Sequence, residues 1–124
     1  MIKSEFKQFF PYDAEEYAAV ILFFDNMMRR NFLKTLRKIA SQKSGMICET
    51  VGYNLPYDCD WIEDGIELWW VCGLHEYHCN ISHTMFVESI EIATAIWLKN
   101  KQLSLEDSTI EEVNNCIKKI KEIY

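Results

Sequence analysis

No lysine or arginine stands between Lys43 and Lys99, and this absence removes from the middle of the chain the cationic surface that phosphate neutralisation requires. With a net charge of −6, the chain as a whole is not composed as a nucleic-acid-binding protein. The opening MIKSEFKQFF lacks both a long apolar core and a small-residue cleavage site, and no apolar run reaches the length of a membrane span; a cytoplasmic protein without a membrane partner is expected. Five cysteines, Cys48, Cys59, Cys72, Cys79 and Cys116, are an odd number at irregular spacing, so they cannot all pair within one chain and read as reduced thiols. There is no glycine-rich phosphate loop, G-x-S-x-G elbow or H-E-x-x-H helix, and Asp58 and Asp60 lack the glycine and bidentate glutamate of an EF-hand. The expectation is a protein that is not an enzyme and that holds no cofactor or metal.

What the same stretch does contain is acid and tryptophan. Between Lys43 and Lys99 stand Glu49, Asp58, Asp60, Glu63, Asp64, Glu67, Glu76, Glu88 and Glu91, together with Trp61, Trp69, Trp70 and Trp97. Five of these acids fall within residues 58–67, around Trp61. Carboxylates held close together repel one another, and a cationic partner relieves that repulsion while a flat ring supplies a buried anchor. The candidate partner-binding residues are therefore Asp58, Asp60, Trp61, Glu63, Asp64, Glu67 and Trp69. A nuclease is a fitting partner, because its active site presents lysine and arginine where phosphates sit, and Tyr57, Trp61 and Trp69 would stack where bases lie. The opposite pole is Arg29, Arg30, Lys34, Arg37, Lys38 and Lys43, in a stretch with no acid between Asp25 and Glu49.

The chain reads as one α+β domain, residues 1–124, rich enough in apolar side chains (49%) to bury a core without staples. Asp13, three residues ahead of Glu16, starts a helix over 13–28 whose apolar residues run nearly all the way round, which predicts a central helix. Phe32, Leu33, Leu36, Ile39 and Ala40 recur at three and four residues, an amphipathic helix with a basic outer face. Residues 41–64 carry the signals of irregular chain, with a short strand over 46–51 admitted. Residues 65–71 and 74–81 flank Cys72-Gly73 and read as an antiparallel hairpin, in which Ile66, Leu68 and Trp70 share one face and Glu67, Trp69 and Val71 the other. Ser82 caps a helix with Met85, Phe86, Ile90, Ala93, Ile96 and Trp97 at helical spacing, expected to pack on the hairpin. Ser108 and Glu111 form a capping box for a last helix with a stripe of Ile110, Val113, Ile117, Ile120 and Tyr124.

A second chemistry is written into Cys72-x-x-His75-x-x-His78-Cys79, four zinc-ligand types within eight residues. On an extended strand, however, His75 and Cys79 share a face that His78 does not, so tetrahedral closure requires a bulge. A small zinc-binding or regulatory domain is the alternative to a protein-binding surface. Cys79 with His75 or His83 is the one nucleophile and base pairing on offer, and it lacks an orienting group.

The order of helices, acidic entry, Gly65-Ile66-Glu67, strand pair, and a serine-started helix with Ser82, Phe86, Ile90, Ala93 and Leu98 resembles the immunity proteins of bacterial contact-dependent growth inhibition systems, in their ribonuclease-toxin branch. The resemblance rests on residues 64–99. It implies a small cytosolic, non-catalytic protein that binds and blocks its cognate toxin domain, over the active site or beside it.

Overall fold

The apolar stripes become helices laid on one face of a four-stranded antiparallel sheet, the α+β arrangement expected. The computed structural model describes residues 2–56, 58, 65–101 and 106–124. Among them run α1 (Ile2–Phe9), α2 (Ala18–Arg29), α3 (Phe32–Ala40), β1 (Gly45–Cys48), β2 (Val51–Asn54), β3 (Ile66–Cys72), β4 (His75–Ile81), α4 (His83–Lys101) and α5 (Asp107–Ile123). The strands pair in sequence order, β1-β2-β3-β4.

The nearly all-apolar α2 is the central helix. Val20, Ile21, Phe23, Phe24, Met27 and Met28 are buried, and the helix meets α1, α3, α4, β2 and β3. It starts later than predicted. The Asp13 carboxylate accepts the N–H groups of Glu15 and Glu16 at 2.8 and 3.1 Å, which closes a turn over 14–17 before the helix begins at Ala18. Those two bonds hold the Asp13 carboxyl below its ordinary pKa. The short α1 was not anticipated: Phe6 and Phe10, one helical turn apart, are buried and stack, with Phe6 also stacked on Phe24 at 5.5 Å.

Ser82 caps α4 as its sequence suggests, accepting the Met85 N–H at 3.1 Å. Its apolar stripe meets other helices rather than the hairpin, chiefly α1, α2 and α5. Phe86 shows why: its ring lies against Phe24 of α2 and Tyr124 at the end of α5, so helix contacts already fill the stripe. The Ser108 capping box is not used; α5 begins at Asp107 after Glu106 and has no side-chain cap. Asp107 in its first turn meets the positive end of the helix dipole instead. Across α3 and α5, Arg37 grips Glu112 with Nε on one oxygen and Nη2 on the other. The grip holds Glu112 below, and Arg37 above, their ordinary pKa values.

In the sheet, Ile47, Val51, Tyr53, Ile66, Leu68 and Ile81 are buried beneath α2 and α3. The stretch expected to be irregular supplies two strands, since β1 and β2 form a hairpin of their own, with a register shift between Met46 and Cys48. The predicted hairpin runs from Ile66 paired with Ile81 to Cys72 paired with His75. Its two-residue turn is Gly73-Leu74, and Gly73 has φ +63°, a first-position requirement of a type II′ turn that glycine meets without strain. Leu74 at the tip is fully exposed.

Candidate functional site

Alternation along β3 places Ile66 and Leu68 in the core and turns Glu67, Trp69 and Val71 to the opposite face of the sheet. Cross-strand register then fixes their neighbours. One row reads Asn54, Glu67, Asn80; the next reads Met46, Gly52, Trp69, His78; Val71 faces Glu76. The Trp69 indole lies against Gly52: a Cβ built there would fall 2.2 and 2.4 Å from two carbons of the ring and 2.8 Å from the Gly45 carbonyl oxygen. Gly52 thus makes the bed for Trp69. Gly52→Ala is expected to push the indole outward and cost about 1–3 kcal/mol, the range for overpacking. Urea unfolding and tryptophan emission would check this; unchanged values for both would refute it.

Around Trp69 the polar groups converge. Asn54 Nδ2 donates to Glu67 Oε1 at 2.8 Å. His78 sits between two carboxylates, its Nδ1 3.4 Å from Glu67 and its Nε2 3.1 Å from Glu76. Glu76 is 62% exposed and Glu67 24%, so Glu67 is the fixed member and Glu76 the accessible one. Met46, 60% exposed, continues the row past Gly52. None of the four strands contains a lysine or arginine.

Of the residues proposed from sequence, Glu67 and Trp69 share this face. Asp58 does different work: its carboxylate accepts the Ser44 N–H at 2.6 Å, while Ser44 Oγ accepts the Leu55 N–H at 2.8 Å. These bonds tie the entry of β1 to the exit of β2. Asp60, Trp61, Glu63 and Asp64 lie outside the described residues. Glu76 and His78 were not among the proposed binding residues. The signal for them was present, because a two-residue turn at Gly73-Leu74 fixes the register that sets His78 opposite Trp69 and Glu76 opposite Val71.

The zinc-type residues are spread by the same register. His75 and Cys79 point to one face with Cys72, and His78 to the other. No group of three or more metal-ligating side chains comes together among the described residues. Burial pushes the Cys79 thiol above its ordinary pKa. Tyr77 covers this side of the hairpin, stacked on Trp70 at 5.2 Å.

No described helix is long and apolar enough to cross a membrane. No family model, curated protein or solved structure matches this chain.

Proposed function

We propose that this chain is a non-catalytic immunity protein of the cytoplasm that binds a basic toxin nuclease domain, a ribonuclease by the resemblance in residues 64–99, and neutralises it. The observation that carries the reading is the sorting of charge between the two layers. Every lysine and arginine lies on the helices, at Arg30 between α2 and α3, or at Lys43 before β1, whereas the sheet has none and turns Glu67, Glu76 and Trp69 to the face opposite its core side. Such a face attracts a cationic surface at long range and offers an aromatic ring to bury on contact. Its basic target would be the phosphate-binding surface of a nuclease, whose charge the carboxylates would match.

The test is direct. The toxin-bearing reading frame expected immediately upstream is cloned, and its carboxy-terminal domain is expressed with and without this chain. Restored growth, and RNA cleavage in vitro that stops at equimolar inhibitor, are the expected results. A toxin that cuts unchanged in the presence of excess folded inhibitor, with no complex on gel filtration, would overturn the reading.

A further inference from the structure

The helix layer holds a concavity that a sheet-face interaction leaves unused. It lies where α2 turns into α3, is walled by Trp97 and Lys101 of α4, and is an open groove of about 340 Å³, a volume in the range of small-molecule sites. Four cations line it, Arg29, Arg30, Lys34 and Lys101, and among the described residues no carboxylate does. In a chain of net charge −6, a cavity lined by one sign of charge focuses the field onto an anion.

The cations are not equivalent. Arg29 is held by Asp25 at 2.8 Å. Arg37, Lys99 and Lys121 are likewise held in ion pairs, whereas Arg30 and Lys34 enter none among the described residues. Both are exposed residues that line the cavity without a bonded carboxylate. The backbone adds donors. Asn31 is a residue type suited to cap α3, yet its Nδ2 donates to the Ile47 carbonyl at 2.9 Å and no side-chain cap forms. The first-turn N–H groups of Phe32, Leu33 and Lys34 therefore lack a capping acceptor on the stretch that lines the cavity. Trp97 is half-buried and stacked on Phe32 at 4.7 Å, an apolar wall held in place.

We propose that this cavity binds the phosphate group of a small phosphorylated molecule. Two uncompensated cations beside a turn of free N–H groups suit a multiply charged tetrahedral oxyanion better than a single carboxylate. The cavity exceeds a bare phosphate in volume, and Trp97 offers surface to the organic part. The site stands apart from the sheet face and is tested on the purified chain alone.

Inorganic phosphate and ribose 5-phosphate serve as probes in amide and indole NMR titrations at constant ionic strength. Saturable shifts confined to residues 30–34 and the Trp97 indole are expected. Arg30→Gln and Lys34→Gln should each weaken binding at least threefold and together at least tenfold, while Lys3→Gln with Lys118→Gln, the same charge change elsewhere, leaves it unaltered. Tighter binding of the sugar phosphate assigns the site to a phosphomonoester; equal affinity at the same amides upholds the phosphate site and assigns it to the free ion. Shifts that never saturate, that spread over all the basic helices, or that survive the double variant overturn the proposal.

Discussion

Phe24→Ala is expected to remove about 3–5 kcal/mol of unfolding free energy, the range for truncating a buried phenylalanine. Phe24 is fully buried, and its ring is where three helices meet. It stacks on Phe6 of α1 at 5.5 Å, lies edge-on to Phe23 at 5.0 Å and meets Phe86 of α4 at 6.3 Å. Truncation removes the transfer energy of the ring and leaves a cavity walled by other rings, which are too stiff to collapse into it. Since domains are stable by only about 5–15 kcal/mol, the variant should be near its unfolding midpoint in little urea. Phe9→Ala is the matched control: Phe9 is 60% exposed on α1, the helix that carries Phe6, and its loss should stay within about 0.5 kcal/mol. Urea titrations followed by circular dichroism decide the matter, and a Phe24→Ala loss below about 1 kcal/mol would show that the helix layer is not built around this ring.

Helix α2 was legible because its apolar residues crowd every side, and α3 because Leu36 and Ile39 fall one and two turns on from Phe32. The β3 and β4 pairing was legible because alternation and Cys72-Gly73 specify a two-residue turn. By contrast, β1 and β2 are strands of four residues joined at Glu49-Thr50, without the glycine or asparagine that marks a tight turn. Their identity comes from pairing with β3, a tertiary cause that local propensity does not carry. Gly52 illustrates the point. In sequence it reads as a breaker; in the fold its missing side chain admits the indole of Trp69 from the neighbouring strand. The α1 helix spans barely two turns, so only Phe6 and Phe10 announce it, and its stability comes from the rings it packs against.

The candidate face was legible in the same uneven way. Alternation alone set Glu67 beside Trp69 on the side away from Ile66 and Leu68. The acidic run suggested one continuous patch, but Asp58 spends its carboxylate on the Ser44 N–H, a bond between two connections. Charge density in sequence does not distinguish an acid that holds a turn together from one that faces outward. The hydrogen-bond partner does.

That difference decides how the proposed toxin-binding face should respond to mutation. Glu67→Lys with Glu76→Lys is expected to slow association with the basic partner by an order of magnitude or more at low salt, because both attraction at a distance and pairing on contact change sign. The slowing should shrink as salt rises, since exposed charges are screened beyond about 10 Å at ~0.1 M. Trp69→Ala should act instead on dissociation, at a cost of about 2 kcal/mol or more if the ring is a buried anchor, which is roughly thirtyfold in Kd. Asp58→Lys is a poor probe of binding, because it also breaks the bond to Ser44, and its effect should appear in stability. The basic pole is tested with Arg30→Gln and Lys34→Gln; Arg37 is unsuitable, being the residue that grips Glu112 across α3 and α5. Neutralising that pole should leave a basic toxin's binding intact or slightly stronger. Surface plasmon resonance at several salt concentrations separates the two rates. If Asp60→Lys with Glu63→Lys slows association while the Glu67 and Glu76 reversal does not, with both variants folded, the toxin reads the acidic segment before β3 and not the sheet; if only the basic-pole variant loses protection, the charge argument itself has the wrong sign.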